Sequence, residues 1–215
     1  AHGEGRPTPM LAVFNLTLSV LQAQVDTSNK FLAVDQKIEI ALHNGTRAFV
    51  CSGPPKSLYG LNLLLRKLKA SSSLNQTKIP FSERRLKFGT KFLPISSPFH
   101  CSYLEPAVEL TSKDIDRLGL NFDPSVPFEI PVVSTNDGAL IDPSPTLMTS
   151  LITQICVKKV VWTKAITVIK STHILDFGPG HKSGVGALTH RNVDGSGVQI
   201  VLAGTIDSTS SSLLS

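Results

Sequence analysis

The pattern that decides the fold lies in residues 37–51, whose sequence is KIEIALHNGTRAFVC. Alternate positions in its first half are apolar, as expected of a strand that is buried on one face: Ile38, Ile40 and Leu42. The pair Asn44-Gly45 is a strong hairpin signal, and an apolar run resumes after it. We therefore expect two antiparallel strands joined by a tight turn.

A strand and a helix are predicted on each side of this hairpin. On the amino-terminal side, residues 10–14 form a short apolar run that predicts a strand, and apolar residues then recur at helical spacing through Val25. On the carboxyl-terminal side, leucines recur at helical spacing between residues 58 and 68, and a strand is expected near 91–95. The order β-α-β-β-α-β is that of a ferredoxin-like subdomain. We assign it to residues 8–95, with a polar surface excursion at 70–88.

Strands and helices alternate in residues 96–207, which favours a parallel or mostly parallel α/β sheet. Helices are expected at 104–118, from Pro145 through Ile155, and at 162–170; strands are expected at 128–134, 172–177 and 198–203. The strand at 172–177 has the apolar character of a buried strand, and Gly119 is expected to end the first of these helices. The serine-rich tail, residues 208–215, is expected to be loose.

Composition places the chain among ordinary globular proteins, with 41% hydrophobic and 17% charged residues. No apolar run approaches the roughly 18 residues that a membrane span needs, so no membrane association is expected. The three cysteines are odd in number and are not clustered with histidines, which indicates neither a disulfide framework nor a metal site and favours the cytoplasm. Because the sequence begins with Ala1 in place of a methionine and shows no leader pattern, we interpret the chain as cut from a longer polypeptide.

The net charge of +5 comes mostly from three basic clusters: Arg66-Lys67-Lys69, Arg84-Arg85-Lys87 with Lys91, and Lys158-Lys159 with Lys164. Nucleic-acid binding is not favoured, because the clusters lack interleaved aromatic residues and a recognition helix. Two interpretations stay open: solvated helix faces, or a docking surface for an acidic partner or a substrate phosphate.

A search for catalytic groups singles out one histidine. No serine has the Gly-x-Ser-x-Gly setting of a nucleophile elbow, and Ser183 has the wrong spacing. His100 lies just past an expected strand end and directly before a helix, where open α/β sheets bind ligands. A structural role for His100 stays open, and the other five histidines have no comparable context. Asn44 is expected to serve the hairpin turn, with a contribution to a site also open.

Several longer strings carry a family resemblance when taken together: Ser52–Asn62, Ile79–Phe88, Ser96–His100, His173–Gly180 and Leu188–Asn192. They resemble the acetyltransferase domain of the fungal type I fatty acid synthase β subunit, and the likeness runs from about Gly5 to Asp207. The resemblance implies the C-terminal part of an α/β-hydrolase-like acyltransferase core with a ferredoxin-like subdomain.

The activity implied by the resemblance is transfer of an acetyl starter group from coenzyme A to an acyl carrier protein through a serine ester. His100, in the string Pro98-Phe99-His100, would be the catalytic base and acid, and a backbone carbonyl near Gln154 or Ile155 would hold its other ring nitrogen. Asn44 and Phe99 would contact the substrate. No bound cofactor and no metal are implied, and the coenzyme A thioester is the substrate.

The resemblance also implies partners and a missing nucleophile. The elbow serine is expected before Ala1, so we expect the chain to be inactive alone. Expected partners are the acyl carrier protein with its phosphopantetheine arm, the remaining domains of the β subunit, and the α subunit. Two alternatives stay open: a non-catalytic structural or carrier-docking segment, and the starter acyltransferase of a secondary-metabolite synthase.

Overall fold

The computed structural model describes residues 3–70, 79–80, 85–120, 122–167, 170–178 and 184–203. The first half contains β1 (Met10–Phe14), α1 (Leu18–Lys30), β2 (Glu39–Gly45), β3 (Ala48–Ser52), α2 (Pro55–Leu68) and β4 (Gly89–Phe92). The second half contains α3 (Glu105–Leu118), β5 (Val132–Val133), β6 (Leu140–Ile141), α4 (Leu147–Cys156), β7 (Val160–Val161), α5 (Trp162–Thr167), β8 (His173–Asp176), α6 (Val185–Val193) and β9 (Gln199–Leu202).

The first four strands form an antiparallel sheet in the order β4-β1-β3-β2, and β7 extends it by pairing parallel to β2. The predicted β-α-β-β-α-β order is therefore confirmed, and with it the mixed α/β fold class. The domain boundaries at 8–95 and 96–207 stay predictions. Most of the surface excursion at 70–88 and the whole tail at 208–215 lie outside the described residues.

The hairpin turn lies two residues later than predicted. Asn44 and Gly45 end strand β2, and the turn is made by Thr46 and Arg47. Gly45 is needed for a close approach, because a β-carbon there would lie 2.8 Å from Oδ1 of Asn192. The glycine that suggested a turn therefore permits packing against α6.

The two faces of the sheet are covered by different parts of the chain. Helices α1 and α2 cover one face, where their apolar residues pack on β1, β2 and β3 in the main core. On the other face, Met10, Ala12 and Val50 pack against Leu93, Ile95 and Phe99, which follow β4. The chain therefore crosses to the face opposite the helices immediately before His100.

The second half departs from its predicted elements in three places, and one further helix is only partly described. The strand expected at 128–134 is shortened to β5, which pairs only with β6 in an antiparallel hairpin. Pro145 precedes the N-cap residue Thr146 and lies outside α4. Helix α5 is described only to Thr167, because 168–169 lie outside the described residues. The parallel pairs are β2–β7 and β8–β9, which belong to separate sheets of the described chain.

Strand β8 is less buried than its apolar sequence predicted. Leu175 is 55% exposed and Phe177, just after the strand, is 80% exposed. The physical reason is that β8 pairs only with β9 within the described chain, so part of its side-chain surface has no neighbouring layer. By contrast, Gly119 ends α3 in the left-handed conformation, with φ of 64°, as predicted.

None of the helices in the described part of the chain combines the length and the apolar character that crossing a bilayer requires.

Candidate functional site

His100 adopts an unusual backbone conformation at the point where the chain leaves the sheet. Its φ is 61°, in the left-handed region that residues other than glycine seldom occupy. The preceding residue, Phe99, is anchored against the apolar cluster on the second face of the sheet. Such a backbone persists only where the surrounding contacts hold it, and strained positions of this kind cluster at functional sites.

The imidazole of His100 is held by backbone carbonyls near the end of α4. Its Nδ1 lies 3.1 Å from the carbonyl oxygen of Gln154 and 3.1 Å from that of Lys158. A carbonyl oxygen can only accept, so Nδ1 must carry the proton and Nε2 the free lone pair. Gln154 is one of the two positions at which a carbonyl partner was expected.

The residue after His100 is fixed by the same helix end. The N–H of Cys101 donates to the carbonyl of Cys156 at 3.2 Å, and its thiol donates to the carbonyl of Pro98 at 2.9 Å. Cys101 is fully buried, and burial raises the pKa of its thiol. The turn around His100 is therefore clamped between the end of α4 and its own preceding residues.

Two further contacts tie this turn to the beginning of β2. Oε1 of Glu39 accepts from the backbone N–H of Ser102 at 3.1 Å and from its hydroxyl at 2.5 Å. The hydroxyl of Tyr103 donates to the carbonyl of Lys37 at 2.7 Å. Sequence reasoning missed Glu39, because its partner lies 63 residues away.

A polar cavity of about 450 Å³ lies beside the carbonyls that hold the imidazole. It is lined by Ser134, Asn136, Asp137, Thr146, Thr149, Ser150, Thr153, Gln154 and Lys158. Hydrogen bonds from the Ala139 N–H and then from Ser134 lower the pKa of the Asp137 carboxyl. Ligand pockets are usually lined mostly by apolar side chains. The side chains that line this cavity carry hydroxyl, amide or charged groups, so it resembles a hydrated cleft more than a pocket for an apolar ligand.

The other two predicted site residues lie near the sheet but are not seen to contact a reactive group. Asn44 is half-buried, and its backbone carbonyl accepts from Nδ2 of Asn192 at 2.7 Å. Phe99 is half-buried and packs on the sheet. Their roles as substrate contacts stay predictions. Asn192 lies within a string that carried the resemblance, but no role was predicted for it.

The remaining histidines do not form a comparable arrangement. His43 packs edge-on against Phe49, with ring centroids 5.4 Å apart, and burial and then the charge of Lys159 lower its pKa. His173 and His190 are exposed. His2 and His181 lie outside the described residues.

The described chain contains no hydrogen-bond partner for Nε2 of His100. Ser183, whose spacing is wrong for an elbow, lies outside the described residues. Within the described ranges there is also no group of three or more histidine, cysteine, aspartate or glutamate side chains that could hold a metal ion. An imidazole that is oriented at Nδ1 in this way is chemically able to act as a base toward a group placed near Nε2.

The first basic cluster is not wholly free to meet a partner. Arg66 forms a two-pronged ion pair with Glu4, which is only 5% exposed. The hydrogen bond to Glu4 raises the pKa of Arg66. Lys158 and Lys159 are exposed and lie next to the carbonyls that hold the His100 imidazole. Arg84, in the second cluster, lies outside the described residues.

Comparison with curated proteins identifies close relatives of a particular kind, although no family model matches the chain. The fatty acid synthase subunit beta of Saccharomyces cerevisiae is 47% identical over 206 residues, which cover 96% of this chain and 10% of that protein. The corresponding subunit of Schizosaccharomyces pombe is 47% identical over 210 residues, covering 97% of this chain and 10% of that protein. The chain thus spans about a tenth of the length of these relatives.

Comparison with solved structures identifies the fold. The malonyl CoA-acyl carrier protein transacylase from Clostridium perfringens superposes with a TM-score of 0.65 at 20% identity, over 96% of this chain and 56% of that chain. At this identity the likeness shows the fold alone. It confirms the predicted acyltransferase fold class, and the synthase relatives confirm the predicted resemblance.

Proposed function

From the homology of this chain to a segment of the fungal fatty acid synthase β subunits, we infer that it supplies the catalytic histidine of an acetyltransferase domain. The proposed reaction moves an acetyl group from coenzyme A to the phosphopantetheine thiol of an acyl carrier protein through a serine ester. The observation that carries the proposal is the imidazole of His100, whose Nδ1 lies within hydrogen-bond distance of two carbonyls while Nε2 has no hydrogen-bond partner among the described residues.

In the first half-reaction, Nε2 of His100 takes the hydroxyl proton of the serine while the serine oxygen attacks the thioester carbonyl carbon. The carbon–sulfur bond then breaks, and the coenzyme A thiolate leaves with the proton from Nε2. In the second half-reaction, Nε2 takes the proton of the carrier thiol, whose sulfur attacks the serine ester. The serine oxygen leaves and recovers the proton from Nε2.

The contacts of the described chain suit His100 to both halves of this cycle. Because Nδ1–H remains hydrogen-bonded to Gln154 and Lys158, one nitrogen alone exchanges protons, and the ring cannot turn away between steps. The carbonyls at the end of α4 carry partial negative charge, which favours the imidazolium that forms after each proton uptake. The fixed tautomer therefore serves the base and the acid roles equally.

The proposal places the chain within a larger assembly. The serine and the oxyanion donors are to come from a part of the acyltransferase domain outside the described residues. The acyl carrier protein and the other domains of the β and α subunits are the proposed partners, the coenzyme A thioester is the substrate with no bound cofactor, and the cytoplasm is the proposed location.

The test compares His100→Ala with wild type in a complete synthase that contains this segment. Loss of a general base typically costs about 10²–10⁴-fold in rate, so radiolabelled acetyl transfer from acetyl-CoA to the holo carrier protein should fall by about that factor. His190→Ala, which removes an exposed histidine on α6, is the matched control and should retain the wild-type rate. Acetyl transfer by His100→Ala at the wild-type rate would refute the proposal.

Two further arms test the finer claims. The isolated 215-residue chain should transfer no more acetyl than its own His100→Ala variant. In the complete synthase, with the rate of the His100→Ala variant subtracted from each measurement, kcat/KM for acetyl-CoA should exceed that for malonyl-CoA. A preference for malonyl-CoA in that assay would overturn the acetyl assignment while leaving the acyltransferase role intact.

A further inference from the structure

The left-handed backbone of His100 needs support on both sides, and on its carboxyl-terminal side one carboxylate adds two hydrogen bonds to the one that the Cys101 N–H donates to Cys156. Before His100, Phe99 packs on the second face of the sheet. After it, Oε1 of Glu39 accepts two hydrogen bonds from Ser102, from the backbone N–H at 3.1 Å and from the hydroxyl at 2.5 Å. Bonds to an ionised acceptor are stronger than neutral ones, so this contact is suited to fixing a strained turn.

Glu39 is itself in a fixed position. It begins strand β2, where its backbone pairs with Ser52 of β3, and its two neighbours Ile38 and Ile40 are buried in the main core. Its carboxylate therefore projects from a paired strand position between two core residues. Because the Glu39 carboxylate is held by the sheet and binds the turn that follows His100, it can fix the position of the imidazole relative to the sheet.

The contact lies two residues from the imidazole and does not reach it. The ring is held by Gln154 and Lys158, and the turn that delivers the ring to them is held by Glu39. Without the carboxylate, the Cys101 hydrogen bond to Cys156 would remain, but fewer contacts would oppose relaxation of the His100 backbone from φ of 61°, a change that would move Nδ1 away from its two carbonyl acceptors.

We propose that Glu39 is a positioning residue for the acyl-transfer reaction, which holds His100 in its left-handed conformation by ligating Ser102. The inference rests on the proposed function, since it assumes that His100 is the base. It predicts that loss of the carboxylate lowers the rate of proton transfer and leaves substrate binding unchanged. The reason is that, within the described residues, both hydrogen bonds of the Glu39 side chain go to Ser102.

The experiment measures kcat and KM for acetyl transfer in the complete synthase for Glu39→Ala and Glu39→Gln. Misplacement of a catalytic group by about 1 Å can cost about 10²-fold, so kcat of Glu39→Ala should fall about 10- to 100-fold with KM changed less than about twofold. Glutamine keeps an acceptor oxygen at the same reach, so Glu39→Gln should recover at least half of the wild-type kcat. Glu129→Ala removes an exposed carboxylate elsewhere and should leave both constants unchanged.

A second variant guards against simple misfolding. Ser102→Ala removes only the hydroxyl and leaves the N–H bond to Glu39, so it should lower kcat less than Glu39→Ala does. Wild-type kcat in Glu39→Ala, an equal loss in Glu39→Ala and Glu39→Gln, or a rise in KM in place of a fall in kcat would each overturn the inference.

An imidazole readout separates this inference from the proposed function. In long-range ¹H–¹⁵N spectra of the 215-residue chain, His100 should show the Nδ1–H tautomer in wild type and a mixture of tautomers in Glu39→Ala. This signal does not depend on acyl transfer. If His100→Ala keeps full activity, the proposed function fails whatever the spectra show; if His100→Ala is inactive and the Glu39→Ala spectrum matches wild type, only the positioning role fails.

Discussion

Replacing Gly186 by alanine should destabilise the chain, although alanine is the better helix former. Gly186 lies in α6, and its N–H donates to Oδ2 of Asp176 at 2.7 Å. A β-carbon at this position would lie 2.6 Å from that same oxygen and closer still to Cδ2 of Leu202. Both approaches are tighter than real side chains show, so Asp176 and Leu202 must both move.

The expected size follows from three effects. Inserting a methyl group into a packed site costs about 1–3 kcal/mol. Moving Asp176 also loses a hydrogen bond to a charged acceptor, about 1.5–3 kcal/mol, while the higher helix propensity of alanine recovers only about 0.5–1 kcal/mol. We therefore expect Gly186→Ala to lower the free energy of unfolding by roughly 1.5–5.5 kcal/mol.

A second helical glycine provides the matched control. Gly60 lies in α2, and a β-carbon there would meet no heavy atom within 4 Å. Gly60→Ala should therefore raise the free energy of unfolding by about 0.5–1 kcal/mol, the gain expected from helix propensity alone. Urea unfolding followed by far-ultraviolet circular dichroism measures both variants. The reasoning is refuted if the two substitutions shift the transition in the same direction.

Two further stability predictions concern buried polar groups in the sheet. Thr90→Val should lower the free energy of unfolding by about 1–3 kcal/mol, because it removes the hydroxyl that donates to Oδ1 of the fully buried Asn62 at 2.8 Å; an unchanged urea midpoint would contradict this. Burial raises the pKa of the Cys51 thiol from 9.0 to about 12, so the thiol ionises in the unfolded chain before it does so in the native one. The stability that this difference contributes is complete below pH 9.0 and is lost as the pH rises toward about 12. Between these two values, the free energy of unfolding of Cys51→Ala should therefore fall less steeply with pH than that of wild type. Equal slopes for the two proteins would count against the assignment.

The first half of the fold was predictable from the sequence because its signals are local. Alternation in residues 37–42 and leucine spacing in residues 58–68 each report on contacts within one element and one core. The turn was placed two residues early because Asn44-Gly45 satisfies a local preference, whereas the actual need for Gly45 comes from Asn192 on α6. Asn192 also donates to the carbonyl of Asn44, 148 residues away, and a contact at this separation has no local signature.

The second half was less predictable, since its strands are short and depend on neighbours. Residues 128–134 have strand composition, but among the described residues only Val132 and Val133 of this segment are paired in a ladder, with β6. The apolar run in β8 predicted burial, and its main neighbours in the described chain are β9 and α6. Composition reports what a segment prefers, while pairing and burial depend on which other elements reach it.

The candidate site likewise has a part that the sequence predicts and a part that it does not. His100 could be singled out from its place at a strand end, and the resemblance placed its carbonyl partner near Gln154. Glu39 could not be found, because a glutamate at the start of a strand is expected to be an ordinary solvated residue.

The contacts around His100 explain why this part of the site lies where two structural units meet. The sheet supports Phe99 and contributes the Glu39 carboxylate, while the end of α4 and the two residues after it contribute the carbonyls of Gln154, Cys156 and Lys158. A residue in the left-handed conformation is stable only where the surrounding contacts all favour that conformation. The sheet holds the turn, and the segment around α4 provides the acceptors for Nδ1, so both are needed. The parallel pairing of β7 with β2 fixes α4 relative to the sheet, because β7 begins four residues after α4 ends. The orientation of the imidazole is thus a consequence of how the ferredoxin-like sheet and the segment around α4 pack together, and a change that loosens this packing would misplace His100 without touching it.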